Sequence, residues 1–267
     1  MSAIRVIVNG ALGRMGQQVI GAVASDPALE LAGASDIKAS GDKFTLTDKS
    51  KSIPLYKDLG SLLESCRADV MVDFTVAEAA MSAARLALRN GLSIVVGTSG
   101  LSDDNLKEID KLAKDRKKGA VVTANFAIGA VIMMSLAKTA ARYFDNAEII
   151  ELHHEKKLDA PSGTALATAR GMLQARGKPF VCPSAEKETL KGTRGGQKNG
   201  IAIHSVRLPG LVASQEVIFG ALGQTLTIRH DTVNRESFMP GVVLAIKEVS
   251  RRRGLVLGLD ALLNLGE

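Results

Sequence analysis

The run Glu151-Leu152-His153-His154-Glu155-Lys156-Lys157-Leu158-Asp159-Ala160-Pro161-Ser162-Gly163-Thr164-Ala165 gathers two histidines, lysines and a Ser-Gly-Thr step into one short stretch. Imidazole exchanges protons near neutral pH, and a lysine beside an anionic substrate stays protonated and able to donate. Pro161-Ser162-Gly163-Thr164 has the composition of a helix start, whose free N–H groups suit a carboxylate. Adjacent histidines point to opposite sides of a strand and no cysteine lies nearby, so the pair is not read as a metal site. The chemistry implied is proton transfer beside a small anion.

A second run could do different work. Val6-Ile7-Val8-Asn9-Gly10-Ala11-Leu12-Gly13-Arg14-Met15-Gly16 places three glycines at G-x-x-G-x-x-G spacing, directly after a strand-like segment and at a helix start. Such glycines permit a tight turn and let backbone amides approach a pyrophosphate at the helix N-terminus. About twenty residues past the last glycine, the next strand ends in Asp36, where an acid can accept hydrogen bonds from an adenosine ribose. Asp36 favours free ribose hydroxyls and Ile37 offers nothing to a 2′-phosphate, whereas Lys38 and Arg14 could each reach one. Use of both NADH and NADPH is therefore expected. Gly97-Thr98-Ser99-Gly100 and Thr123-Ala124-Asn125-Phe126 follow later strands of the same pattern, at the strand ends where ligands of such sheets bind.

The elements that must position these runs fall into two patterns. In the first half, the short apolar runs Ile4–Asn9, Leu29–Ser35, Val70–Phe74, Ser93–Val96 and Ala120–Thr123 suit strands buried on both faces of a parallel sheet. Between them, Gly13–Ser25, Ala77–Asn90 and Asp103–Lys117 read as amphipathic helices, with a shorter one over Gly60–Cys66. Residues 38–58 read as a polar, irregular excursion. The β-α-β-α order predicts an α/β, Rossmann-like, doubly wound domain. After about residue 126 the pattern changes: helix over Ala127–Phe144, strand over Ala147–Leu152, helix over Gly163–Arg176. Three strand-like runs follow, Ile201–Leu208, Ser214–Ala221 and Gln224–His230. Their close spacing predicts antiparallel pairing in an α+β domain with an open, mixed or antiparallel sheet. Lys191–Gly200 reads as a basic, glycine-rich loop, and Phe238–Arg253 and Gly258–Asn264 as helix packing back on the first domain. The division expected is residues 1–125 with 240–267 for the dinucleotide, and 126–239 for substrate binding and oligomerisation. Hinges are expected near 125–130 and 234–241.

Bulk composition narrows the function classes. A chain of 267 residues that is 46% hydrophobic and 23% charged is globular rather than disordered. The formal charge of +6 is mild, and its clusters at Lys114–Lys118 and Arg251–Arg253 suit helix ends better than a nucleic-acid surface. Cys66 and Cys182 cannot frame a chain this size and read as reduced thiols of a cytoplasmic protein. The longest apolar run, around Phe126–Met134, is too short for a bilayer.

The segment from Glu151 to Ala165 resembles the signature of the dihydrodipicolinate reductase family. The Gly-Arg-Met-Gly ending of the glycine turn, Asp73-Phe74-Thr75, Gly97–Gly100, Asn125-Phe126 and His204-Ser205-Val206-Arg207-Leu208-Pro209-Gly210 resemble that family too, in its order and across nearly the whole chain. The resemblance implies reduction of a cyclic unsaturated dicarboxylate by NADH or NADPH in lysine and diaminopimelate biosynthesis, giving tetrahydrodipicolinate and water. Hydride would go to the ring carbon that bore the hydroxyl, and a proton to its neighbour. His153 would be the acid/base residue and Lys157 the proton donor, with His154, Ser162, Gly163 and Thr164 at the substrate carboxylates. Gly10, Ala11, Leu12, Gly13, Arg14, Met15, Asp36, Gly97, Thr98, Ser99, Thr123, Ala124, Asn125 and Phe126 would contact the dinucleotide. Many members carry a basic residue where this chain has Ile37. The resemblance also implies a homotetramer built on the sheet of the second domain. A catalytically silent NAD(P)-binding regulator, or a reductase of another small anion, would keep the glycine turn but not need His153 to Thr164 together.

Overall fold

The computed structural model describes residues 2–46, 52–184 and 187–265. In chain order the elements are β1 (Ile4–Asn9), α1 (Arg14–Ser25), β2 (Leu29–Ser35), β3 (Lys43–Thr45), β4 (Ser52–Tyr56), α2 (Leu59–Ser65), β5 (Val70–Asp73), α3 (Ala77–Arg89), β6 (Ser93–Val96), α4 (Asp103–Asp115) and β7 (Gly119–Val122). Then come α5 (Ile128–Ala140), β8 (Asn146–His153), α6 (Gly163–Arg176), β9 (Gly196–Lys198), β10 (Ile201–Arg207), β11 (Ala213–Ala221), β12 (Gln224–Thr232), a 3-10 turn (Arg235–Phe238), α7 (Met239–Val249) and β13 (Gly254–Leu257). The chain forms two compact units: the described residues up to Ile128 together with Arg235–Leu265, and Gly129–Asn234.

The first unit is built on an eight-stranded sheet in the order β13-β7-β6-β5-β1-β2-β4-β3, and only the β3–β4 pairing is antiparallel. Every residue of β5, β6 and β7 is buried, as continuous apolar strands covered on both faces require. On one face, α3 presents Ala80, Met81, Ala84, Ala87 and Leu88 to the sheet in a core shared with Ile7, Met71 and Ile94. That alanine stripe lets the helix lie close. The chain leaves β1 toward β2 on one side and continues through β5 on the other. The loops after β1 and β5 therefore flank the point where strand order reverses, the usual ligand crevice of such sheets.

The second unit packs α5 and α6 on one face of a five-stranded sheet in the order β12-β11-β8-β10-β9. Its core joins Ala137, Ala141, Ile149, Ala165, Ala169, Met172, Val217 and Phe219.

Several expectations need correction. Part of the excursion over 38–58 is strand: Ser52-Ile53-Pro54-Leu55-Tyr56 buries Ile53 and Leu55 by alternation and adds β4 beside β2, with β3 as the edge. Residues 47–51 of that stretch lie outside the described residues. The strands β10 and β11 are not neighbours, because β8 lies between them, parallel to β10 and antiparallel to β11; only β11 and β12 form the expected hairpin. Within Lys191–Gly200, Gly196–Lys198 pairs with β10 as β9. The helix from residue 128 stops at Ala140, and a tight turn carries the chain to β8. After α7, Gly254–Leu257 forms β13 parallel to β7, and the helix expected over Gly258–Asn264 is replaced by turns. Leu255-Val256-Leu257 is too short to be told from helix by periodicity; the open edge of β7 selects the strand.

Candidate active site

Backbone bonds to the end of β2 build the glycine turn. The amides of Gly10 and Ala11 donate to the Ser35 carbonyl at 2.9 and 3.1 Å, and Leu12 N–H donates to Asp36 Oδ2 at 2.9 Å. Gly10 has φ +79°, a left-handed conformation that favours glycine, and a Cβ there would lie 2.8 Å from the Thr75 methyl. A Cβ on Gly16 would lie 2.1 Å from the Gly10 carbonyl oxygen, so turn and helix meet without room for a side chain. The N-cap of α1, Gly13, supplies no side-chain bond, and no acid stands in the first turn. Amides at that end are thus left for an outside anion. This cradle fits a dinucleotide pyrophosphate. Asp36 is buried and also accepts from Lys38 N–H at 2.9 Å, so it fastens the turn, and its remaining lone pairs could accept from a ribose. Ile37 is 80% exposed beside it, and Arg14 and Lys38 are exposed as well.

The other loops of this unit are tied together by a residue with no assigned role in the sequence reading. Asp73 is fully buried and accepts from Asn9 Nδ2 (2.6 Å), Thr75 N (3.0 Å), Thr75 Oγ1 (2.8 Å) and Thr98 Oγ1 (3.3 Å). Through it the turn after β1, the Thr75 step and the Gly97–Gly100 loop share one carboxylate. Ser99 is exposed at that loop's tip. After β7, Thr123 Oγ1 accepts from Asn125 N–H at 3.2 Å, Ala124 is exposed, and the buried Phe126 ring lies 5.5 Å from that of Phe74.

In the second unit, β8 delivers Glu151 and His153 to the same face, two residues apart. Glu151 is fully buried and its Oε2 meets His153 Nδ1. From β10, Arg207 forks onto it, NH1 to Oε2 at 3.0 Å and NH2 to Oε1 at 2.7 Å. The parallel register that places Ser205 opposite Glu151 and Arg207 opposite His153 makes this possible. Ser162 N–H also donates to Glu151 Oε1 at 3.2 Å, while its hydroxyl caps α6 through Ala165 N–H at 3.1 Å. Ser162 is therefore buried with its hydroxyl engaged in the cap; Gly163 is exposed and Thr164 half-buried at the helix mouth. Lys157 Nζ donates to Asp159 Oδ1 at 2.7 Å. His154 directly follows β8, half-buried, and its carbonyl accepts from Lys157 N–H at 3.2 Å.

The electrostatics give the groups distinct states. Burial alone would raise the Glu151 carboxyl, but hydrogen bonds from Arg207, Ser205 and His153 outweigh it and hold it below the usual range. Burial pushes His153 below the usual imidazole value, and the nearby Lys157 and Arg207 cations add to this, against the Glu151 carboxylate. His153 is thus neutral at neutral pH. An ionised Glu151 on Nδ1 makes that nitrogen the protonated one and leaves the Nε2 lone pair. The hydrogen bond from Lys157, with a further one from the Gly163 amide, holds the Asp159 carboxyl low. The Asp159 carboxylate thus rests on the Lys157 cation near the start of α6, where helix amides suit an anion.

Glu151, Arg207 and Asp159 were not singled out as site residues from sequence. The i, i+2 spacing of Glu151 and His153 was a usable signal, whereas Arg207 is 56 positions away in the chain and reaches the site only by strand pairing. Among the described residues no three His, Cys, Asp or Glu side chains gather as metal ligands, and no helix is long and apolar enough to cross a membrane.

Comparison with known proteins supports the same reading. Residues 4–126 match the family model for the dihydrodipicolinate reductase N-terminus, and residues 129–263 match that for its C-terminus. The 4-hydroxy-tetrahydrodipicolinate reductase of Dehalococcoides mccartyi is 52% identical over 265 residues, covering 99% of this chain and all of the relative. That of Moorella thermoacetica is 49% identical over 265 residues, covering 98% and 99%. Among solved structures, dipicolinate-bound dihydrodipicolinate reductase from Paenisporosarcina sp. TG-14 superposes with a TM-score of 0.87 at 43% identity, covering 97% of this chain and 98% of that one. Amine dehydrogenase from Mycobacterium smegmatis, at TM-score 0.68 and 17% identity over 97% and 96% of the two chains, shares the fold alone. Both halves match and the identity runs end to end, so the chain belongs to the dihydrodipicolinate reductase family.

Proposed function

We propose that this chain reduces (2S,4S)-4-hydroxy-2,3,4,5-tetrahydrodipicolinate with NADH or NADPH, giving tetrahydrodipicolinate, NAD(P)⁺ and water, a step of lysine and diaminopimelate biosynthesis. The observation that carries this reading is His153 held by buried Glu151, with Lys157 and the mouth of α6 in the next few residues. The dipicolinate named in the Paenisporosarcina structure is a ring dicarboxylate of the kind such a mouth would receive.

In this reading the first unit binds the dinucleotide. The turn from Gly10 to Gly13 shapes the seat, the first amides of α1 at Arg14 and Met15 hold the pyrophosphate, Asp36 takes the ribose, and Gly97–Ser99 and Thr123–Phe126 border the nicotinamide half. When bound, the reduced nicotinamide supplies the hydride. Residues 126–239 receive the substrate. The amides of Gly163 and Thr164, with His154 and Ser162 beside them, hold the carboxylates, and the substrate carboxylate takes the place of Asp159 against Lys157. Loss of the hydroxyl as water leaves a conjugated imine; the hydride enters at the carbon that bore the hydroxyl, and Lys157 protonates its neighbour. His153 exchanges the proton through Nε2 while Glu151 keeps the ring oriented. A cation and aimed amide dipoles stabilise the charge that builds in the transition state more than the ground state.

The five-stranded sheet leaves β12 exposed at its edge along most of its length. We infer a homotetramer assembled on this sheet, in the cytoplasm, with a small-molecule substrate as its partner rather than nucleic acid or a membrane.

The test is steady-state oxidation of NADH and of NADPH with freshly generated substrate. Turnover with both, at kcat/KM values within about tenfold of each other, is expected because Asp36 favours free hydroxyls while Arg14 and Lys38 can meet a 2′-phosphate. Dinucleotide binding without turnover would favour the silent regulator instead.

A further inference from the structure

We propose that Arg207 is a positioning residue that braces His153 and Lys157 together, through one guanidinium bonded to both Glu151 and the Asp159 carbonyl. The proposal rests on the reductase reading and deepens it. Arg207 stands on β10, and its bonds reach two separate parts of the site. On one side, NH1 and NH2 grip the two oxygens of Glu151 at 3.0 and 2.7 Å, and Glu151 Oε2 holds His153 Nδ1. On the other, NH2 donates to the Asp159 carbonyl at 2.7 Å and so fixes the backbone of the loop that carries Lys157, whose Nζ rests on the Asp159 carboxylate at 2.7 Å until substrate replaces it. The carboxylate that orients the imidazole and the loop that carries the ammonium are thus fastened to the same planar group.

The donor count argues against a direct role in binding substrate. NH1 has two N–H groups, spent on Glu151 Oε2 and on the Val206 carbonyl at 2.7 Å; NH2 has two, spent on Glu151 Oε1 and the Asp159 carbonyl. The remaining donor, Nε, is buried and has no acceptor among the described residues. Both outer nitrogens are saturated inside the protein, so the group acts through its neighbours. Its charge also offsets Glu151, leaving His153 facing a carboxylate already paired. The charged groups facing His153 are Glu151 from its own strand, Arg207 from β10 and Lys157 from the loop that follows; β11 offers Ala213 at that register, and α6 offers Ser162. Lysine cannot substitute for this arrangement, because one ammonium cannot meet both carboxylate oxygens and the carbonyl in one plane.

The experiment compares wild type, Arg207→Lys, Arg207→Gln, Glu151→Gln and the double variant Glu151→Gln/Arg207→Gln, as full chains, by thermal melting and steady-state kinetics across pH. Arg207→Lys is expected to melt cooperatively and lose tenfold or more in kcat, with KM for substrate and for NADH within threefold of wild type. In Arg207→Gln, the pH limb set by His153 should move up, since the cation that disfavours imidazolium is gone and Glu151 is then unopposed. If that variant does not fold, the double variant, which removes both buried charges, is read against Glu151→Gln alone: freeing the Asp159 carbonyl should cost a further threefold or more in kcat. A kcat within twofold of wild type in Arg207→Lys, or within twofold of Glu151→Gln in the double variant, overturns the proposal. So does a tenfold rise in substrate KM at unchanged kcat, which would make Arg207 a binding residue, or an unmoved pH limb in folded Arg207→Gln. An inactive wild type would overturn the reductase reading and this proposal with it; an active wild type with unaffected variants overturns this proposal alone.

Discussion

Alanine at Gly16 puts a methyl group 2.1 Å from the Gly10 carbonyl oxygen and 2.8 Å from the Ala11 Cα, both backbone atoms that cannot rotate away. Ordinary contact begins at 3.4 Å, so the turn must retreat by about 1.3 Å, the difference between 3.4 and 2.1. The window for an N–H···O hydrogen bond is only about 0.5 Å wide. A displacement of that size removes at least one amide from a pyrophosphate, and hydrogen bonds to charged groups contribute about 1.5–3 kcal/mol each. At about 1.4 kcal/mol per decade, KM for NADH and NADPH should rise roughly tenfold to a hundredfold. Stability should change less: overpacking costs about 1–3 kcal/mol, and replacing glycine within a helix returns up to about 1 kcal/mol. Gly21→Ala is the matched control on the same helix. Its Cβ meets no described residue within 4 Å, so it should leave KM unchanged and raise stability by about 0.5–1 kcal/mol. The assay is cofactor titration at saturating substrate beside a thermal melt of each variant. A folded Gly16→Ala protein with KM within threefold of wild type would refute the seat assigned to the pyrophosphate.

Other consequences concern the second unit and pH. Lys157→Ala should lower kcat by about 100-fold, the scale of general acid catalysis; unchanged kcat would remove Lys157 from the proton transfer. His154→Ala should chiefly raise KM for substrate, since its assigned role is binding, and an effect confined to kcat would transfer it to the chemistry. His153 and Glu151 both hold protons less tightly in the fold than in the open chain. Their contribution to stability is therefore complete above about pH 6.5 and is lost as pH falls, first through the imidazole range and then through the carboxylate range. The buffer-corrected Tm should decline steadily from pH 7 toward pH 4, and a Tm that rises on acidification would contradict these states.

Much of the architecture is legible locally. Buried parallel strands are continuous apolar runs, helices announce themselves by period and cap, and a glycine turn between strand and helix is a contiguous motif. For that reason β1, β2, β6 and α6 stand on the residues their own sequences predict. The segment from His153 to Thr164 is likewise contiguous, and its residue types suggested proton transfer before any contact was known. Pairing is different. Whether β8 or β11 sits beside β10, and whether Gly254–Leu257 becomes strand or helix, depends on which edge is open and which face is buried once distant elements have packed. The same holds for charge. Glu151 looks like any acid beside a histidine until β10 brings Arg207 across from another part of the chain, and Asp73 like a strand end until Asn9, Thr75 and Thr98 converge on it. Local sequence determined which side chains could carry the chemistry. Tertiary burial alone decided their partners, and through those partners their charge, tautomer and orientation.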